Sequence, residues 1–518
     1  MVHSPPNREA RSRIDAAFSP DLIRRLAHDL ADRLGAHFQD VTAGRGRVLN
    51  WAAPAENVAA ARRWLEGRPL DAAAGQDSFG DDVAERFGRL VQTILTRGNN
   101  LHDPRYIGHQ VPASSPIAAL FDAVGSATNQ VMAIYEMGPW ASAAERSVVE
   151  AVGEQLGFPR GEFAGLITHG GSLANLTGLL TARNVRLGQS WESGVARPGR
   201  PPVLLVHADA HYGITRAAGI LGLGTRQVLR VPLDERRRMN PAQLDQMLAD
   251  LRATGTPIVA VCACACATPI GAFDPLEDIA AVCRRHDVWL HVDAAHGGAA
   301  GFSDKYRHLV AGLAQADSVI CDAHKMMFVP ALCAFVFYRN PAHRFEAFRQ
   351  DAPYLFDPST PGETAEYDSG LMTIECTKRA AAYGLWGLWS LFGRQLFADL
   401  VDVTFDLGRA FYEMLVEAPD FVPLHEPQCN ILAFRYIPDE LAGADPARIG
   451  EFNRAVRRRL IESGEYYIVQ TNLDGAGALR VTIINPLTTE SHLSGLLDAI
   501  RRTGITVLDE RPSLASRD

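Results

Sequence analysis

Apolar positions along this chain change their period twice, and the changes mark out an architecture. In the first hundred residues they recur at helical spacing: Ile23, Leu26, Leu30 and Leu34 follow a Ser19 suited to capping and a Pro20 suited to the first helical turn. A second amphipathic segment runs through Val58, Ala61, Trp64 and Leu65, and Asp71 to Gly80 reads as loop. Beyond Asp103 short apolar runs take over. Leu166-Ile167-Thr168, Val203 to Val206, Ile258 to Ala263, Val288 to Val292 and Ser318 to Cys321 are long enough for buried strands and too short for independent helices. Between them lie helical stretches. One spans Ser142 to Leu156, one carries the apolar face Leu173, Leu176, Leu179 and Leu180, and one runs through Leu276, Ile279 and Cys283 after a capping box of Asp274 and Glu277 around Pro275. This β/α alternation predicts an α/β fold, a mostly parallel sheet with helices on both faces. Past about residue 380 helices predominate until Ile431 to Phe434 and Leu479 to Ile484, which predict a smaller α+β unit. The expected division is a helical N-terminal arm over 1–100, a large domain over 101–380 and a small C-terminal domain over 381–518.

Composition narrows the class. Of 518 residues 47% are hydrophobic, ample for a large core, and the net charge of −9 with no Lys/Arg tract argues against a nucleic-acid partner. No apolar run reaches the length of a membrane span, and Met1 to Pro20 lacks a signal peptide's apolar centre, so a cytoplasmic location is expected. The eight cysteines lie mostly in strand-like runs, as reduced core thiols do. Cys262, Cys264 and Cys266 alternate along one strand, which puts them in a row on one face without the spacing of a zinc site.

Candidate chemistry concentrates between Val288 and Met327. The first strand-like run there ends in Asp293 and is followed by small residues, the place where open α/β sheets hold ligands. The next delivers Asp322-Ala323-His324-Lys325. Either charged residue alone is more often a solvated surface group. A lysine set between His324 and the apolar Met326-Met327-Phe328 is different, because burial disfavours its charge and activates it as a nucleophile. A carboxylate for a pyridine nitrogen and a lysine for a Schiff base are what pyridoxal phosphate chemistry requires. Upstream, His169-Gly170-Gly171-Ser172 leads into a helix, a plausible phosphate cradle of free N–H groups at a positive dipole end.

The motifs DPRY, YEMGP, GGSLAN, DAHY, TPIGAFDP, WLHVDAA, HKMM, YLFDP and RVTIINP follow in this order from Asp103 toward the C-terminus. In that combination the chain resembles the pyridoxal-phosphate-dependent amino-acid decarboxylases of the glutamate, cysteine sulfinate and aromatic amino-acid type. The resemblance implies the aminotransferase-like fold type I and pyridoxal 5′-phosphate as cofactor. It further implies decarboxylation of an L-amino acid to its amine and CO2, and a homodimer with active sites at the subunit interface. By position it makes Lys325 the Schiff-base lysine, Asp293 the partner of the pyridine nitrogen, and His211 the ring stacked on the cofactor. Gly171 and Ser172 fall at the phosphate, Thr268 near the ring substituents, Ala295 beneath the ring, and His324 beside the phosphate or the lysine linkage. Arg480 corresponds to the arginine for the substrate α-carboxylate, and His109 or Gln110 to the residue that reads the side chain.

The chain departs from the family pattern at four places. Cys266-Ala267 stands where Gly-Thr is usual, His109 or Gln110 falls with an offset of one residue where the glutamate branch has its side-chain-recognising glutamine, Asp322 replaces the commoner asparagine, and the loop between Tyr354 and Met372 has Gly362 or Glu363 where a proton-delivering tyrosine is expected. Tyr367 is then the candidate acid, with His296 or a water as alternatives. Two other outcomes are decarboxylation-dependent transamination or oxidative deamination giving an aldehyde, and an inactive scaffold or binding protein. Intact Lys325, Asp293 and His211 speak against the last.

Overall fold

The computed structural model describes residues 8–67, 70–71, 76–348 and 366–514. The chain forms two compact units: Met1–Ile107 with Arg454–Ile468 and Leu487–Asp518, and Gly108–Asn453 with Val469–Pro486.

In the first unit Pro20 opens the helix Pro20–Thr42, and the Leu22 N–H donates to the Ser19 hydroxyl at 3.2 Å, the cap the sequence predicts. This helix packs on Gln76–Arg97. The second helix begins inside the stretch read as loop, because Phe79, Val83, Phe87 and Val91 lie four residues apart and form one apolar row. Nearby, the Arg105 guanidinium donates to the Asp103 carboxylate at 2.6 Å and to the carbonyls of Gly44 and Gly46, a structural use for the DPRY motif.

Among the described residues the second unit holds a large sheet, a smaller one and a two-stranded pairing of Val131–Met132 with Lys378–Arg379. Seven strands of the large one form a continuous path, β1 (Ala164–Thr168), β2 (Val203–His207), β3 (Val228–Val231), β4 (Ile258–Ala267), β5 (Leu290–Asp293), β6 (Ser318–Asp322) and β7 (Ala334–Tyr338), and the short strand Ala272–Phe273 pairs antiparallel with β4 off that path. Their spatial order is β1-β7-β6-β5-β4-β2-β3. β7 runs antiparallel to both neighbours and every other pairing along this path is parallel, giving the mostly parallel sheet expected. Side chains alternate between two apolar layers. Val319 and Cys321 join a cluster with Val148, Leu276 and Ile279, while Ile320 joins Leu179, Leu180 and Ile214, so helices do cover both faces. The smaller sheet is wholly antiparallel, in order β8-β9-β11-β10, from β8 (Phe421–Pro423), β9 (Ile431–Tyr436), β10 (Val469–Leu473) and β11 (Ala476–Thr482).

One expectation for β4 fails. Cys262 packs into one layer, but Cys266 packs into the other, with Val261, Ala263 and Ala265. The reason is local: Cys266 takes a left-handed φ of 81°, and the pairing register shifts between Ala265 and Ala267. The alternation is broken one residue before the strand ends, at a backbone conformation that costs a non-glycine residue about 1–3 kcal/mol.

Candidate active site

The parallel pairing of β5 with β6, Val292 opposite Val319 and Asp293 opposite Ile320, brings the ends of both strands to one edge. At that edge the Asp322 N–H donates to the Ala295 carbonyl at 3.1 Å and the Lys325 N–H to the Asp322 carbonyl at 3.1 Å, a tight turn that brings Lys325 to the same cavity as Asp293. Together they border a cavity of about 300 Å³. Nine of the residues singled out from the sequence line it: Gln110, Gly171, Ser172, His211, Thr268, Asp293, Ala295, His324 and Lys325. The helix Gly171–Leu187 starts at its wall.

Local structure fixes each group. Asp293 is nearly buried; one carboxylate oxygen accepts from the Asn175 amide at 3.0 Å, the other from the Ala295 N–H at 3.1 Å. His211 caps the helix Tyr212–Ile220, its Nδ1 accepting the Gly213 N–H at 3.1 Å, which leaves the ring proton of the neutral imidazole on Nε2. Burial pushes His211 below the ordinary histidine range, so neutral is its resting form. Asp322 is drawn the other way. Burial raises its carboxyl above the usual range, although Lys325 Nζ lies 3.4 Å and His324 Nε2 3.6 Å from it. A Cβ on residue 171 would fall 2.7 Å from that carboxylate, so only glycine fits at the first helical position.

Three sequence candidates do not line the cavity. His109 is exposed, which leaves Gln110 as the member of that pair on the cavity wall. Tyr367 lies against Tyr135, ring centroids 5.8 Å apart. Arg480 sits on β11 between Ala433 of β9 and Val469 of β10, with Nε and Nη2 lacking any partner among the described residues. Burial pushes its guanidinium down to about 10. Its charge nonetheless reaches two groups that line the cavity: burial raises the Cys266 thiol and Arg480 opposes that in small part, while burial lowers His296 and Arg480 adds to it. His296, the alternative acid, is buried and pushed down to about 3, first by burial, with the Asn430 oxygen 2.9 Å from Nε2. A ring that weakly basic carries no second proton to give near neutrality. Gly362, Glu363 and Tyr354 lie outside the described residues, within 349–365.

Sequence reasoning missed Asn175, although GGSLAN places it one helical turn after Gly171 on the same face. It placed His169 in the phosphate cradle but missed its partner: His169 lines the cavity with Nδ1 3.1 Å from Glu375, and those residues are 206 apart in the chain with no local pattern joining them. The hydrogen bond from His169 holds the Glu375 carboxyl below the usual range.

Residues 69–437 match the pyridoxal-dependent decarboxylase conserved domain, so the chain belongs to that family. An acidic amino acid decarboxylase of Homo sapiens is 30% identical over 423 residues, covering 80% of this chain and 80% of the relative. A cysteine sulfinic acid decarboxylase of Rattus norvegicus is 29% identical over 429 residues, 82% of this chain and 85% of the relative. The crystal structure of mouse CSAD superposes with a TM-score of 0.83 at 26% identity, covering 94% of this chain and 99% of that one. The fold is the type I fold of pyridoxal-phosphate enzymes, and the protein is a pyridoxal-phosphate-dependent amino-acid decarboxylase.

The residues present fit pyridoxal 5′-phosphate. Gly171 leaves a cradle that any Cβ would fill, at a helix start whose N–H groups suit a phosphate. Asp322 Oδ1 is buried without a partner among the described residues, at the edge of the same cradle. Bound there, the cofactor supplies an electron-accepting ring for the electrons left when CO2 departs.

Proposed function

We propose that this chain decarboxylates a small amino acid with an acidic side chain and releases the corresponding amine. Lys325 is the nucleophile for the cofactor aldehyde. Asp293 holds the proton on the pyridine nitrogen, and His211 lies on the ring face, with Ala295 beneath the ring and Thr268 at its substituents. The N–H groups of Gly171 and Ser172 take the phosphate, with His324 beside it. Arg480 carries the substrate half of the reading: a buried guanidinium whose Nε and Nη2 meet no acceptor among the described residues is a seat for a planar carboxylate arriving from solution. The relatives named for acidic amino acids and for cysteine sulfinic acid support an acidic side chain. Gln110, an amide on the cavity wall, offers an N–H to its oxyanion.

The same reading makes the protein a cytoplasmic homodimer with composite active sites. Ile117, Leu120 and Val124 on the helix Pro116–Ala127 stand exposed in the single chain, as do Trp140 and Leu391, an apolar face of the kind a second copy covers. Among the described residues no helix is long and apolar enough to cross a membrane. A solution mass showing a fully active monomer contradicts the dimer.

The function is tested by offering purified, cofactor-loaded protein a panel of amino acids while CO2, amine, aldehyde and peroxide are read in parallel. Equimolar CO2 and amine from an acidic amino acid is expected. Aldehyde as the main product overturns the amine outcome, and CO2 from aromatic amino acids alone overturns the acidic side chain.

A further inference from the structure

We propose that Ser318, His291 and Asn175 form a one-way hydrogen-bond relay that presents Asp293 to the cofactor's pyridine nitrogen as a fixed acceptor, making Asn175 and His291 positioning residues of the reaction. The inference rests on the assignment of Asp293 to that nitrogen.

The direction of every bond follows from its ends. The Trp289 indole can only donate, and its N–H donates to Ser318 Oγ at 2.9 Å. At the far end the Asp293 carboxylate accepts from Asn175 Nδ2 at 3.0 Å, which turns Asn175 Oδ1 toward His291. That oxygen lies 2.8 Å from His291 Nε2 and can only accept, so the imidazole proton is on Nε2. Nδ1 is then the lone-pair nitrogen and takes the Ser318 hydroxyl proton across 2.8 Å. Asn175, His291 and Ser318 are all buried, and burial pushes His291 down to about 4, which keeps the ring neutral and the tautomer single.

The helix above makes room for this arrangement. A Cβ on Gly178, in the middle of Gly171–Leu187, would lie 2.8 Å from His291 Cε1 and 3.0 Å from Nδ1. Glycine there costs the helix about 1 kcal/mol relative to alanine, and what it admits is the relay's central ring. With Asn175 on one oxygen and the Ala295 N–H on the other, the Asp293 carboxylate cannot swing. Both of its oxygens are thereby held in place as acceptors for the pyridine nitrogen.

The test titrates apo-protein with pyridoxal 5′-phosphate and with its 1-deaza analogue, in which carbon replaces the ring nitrogen, following cofactor absorbance and protein fluorescence. Wild type prefers the natural cofactor, and Asp293→Asn erases that preference. Asn175→Leu and His291→Phe reduce it about tenfold, the scale of a lost hydrogen bond to a charged group, and leave the analogue's affinity within about twofold. His291→Gln restores most of it, since its amide can place an N–H on Asn175. If Asp293→Asn keeps the preference, the assignment of Asp293 fails and the relay with it. If Asp293→Asn erases it while Asn175→Leu and His291→Phe keep it, the relay alone is overturned. Should those variants not fold, nitrogen NMR of wild-type apo-protein decides: a neutral Nε2–H tautomer at His291 supports the relay, and an Nδ1–H or charged ring overturns it.

Discussion

Asp293 ends a strand of the large parallel sheet, and Arg480 lies within the small antiparallel one; both are charged and nearly buried, and their surroundings treat them in opposite ways. Asp293 has a donor on each oxygen, one of them backed by three further buried side chains. Arg480 has Nε and Nη2 with no acceptor among the described residues, and cysteine thiols as the other groups its charge acts on most. A buried polar group satisfied by its own chain is held for something that must not move. One left unsatisfied costs stability until a ligand arrives, and is kept for binding. On the proposed roles, the difference separates a residue that would orient a resident cofactor from one that would receive a substrate.

Stability and activity should therefore part company at these two positions. Asp293→Asn is expected to cut turnover about a thousandfold and to leave the fold no more stable, because the Asn175 donor loses its ionic acceptor. Arg480→Met is expected to lower kcat/KM by about 10²–10³ while raising stability by about 1–3 kcal/mol, since it removes a buried charge whose Nε and Nη2 have no partner among the described residues. Denaturant melts with steady-state kinetics on both variants check this, and a destabilised Arg480→Met breaks the contrast.

Acid sharpens it further. His291, His296 and His425 are each held near 3 or 4 against an ordinary 6.5, in every case chiefly by burial. Below pH 6.5 the unfolded chain takes up protons that these rings refuse, so stability is intact above 6.5 and falls steadily toward pH 4. Each ring contributes a loss of about 3 kcal/mol by pH 4. Thermal unfolding across that range, compared with His291→Gln, reads one ring's share.

A smaller effect is expected at Asp322, whose carboxyl is raised by burial. Its folded form holds a proton that the unfolded form has lost, so its stability contribution falls as pH rises past the ordinary carboxylate range. Asp322→Asn should be more stable than wild type at pH 8 and lose that advantage toward pH 4. Tyr367→Phe is expected to change least. The ring still packs on Tyr135, and the ratio of amine to aldehyde stays constant; a shift toward aldehyde assigns that hydroxyl the proton delivery.

Much of this was legible because the decisive residues sit at strand ends. Short apolar runs followed by Asp293 and by Lys325 announced both the sheet and its functional edge, and nine of the twelve candidate residues line one cavity. What stayed hidden depends on geometry that no local period carries. Cys266 leaves its expected layer through one left-handed φ. The pairing of His169 with Glu375 spans 206 positions, and His291 finds Asn175 across 116. The start of the helix Gln76–Arg97 was obscured by the polar and glycine residues up to Gly80, although the arm as a whole reads as helical.

The proposed attachment of the cofactor to Lys325, at the sheet edge where Asp293 lies, can be read off directly: the cofactor-loaded protein is reduced with borohydride and digested, and the pyridoxyl group is located by peptide mass. That mass is expected on Lys325, and is expected to be absent from Lys325→Ala together with turnover. A pyridoxyl group on Lys305 or Lys378, or none while decarboxylation proceeds, would contradict it.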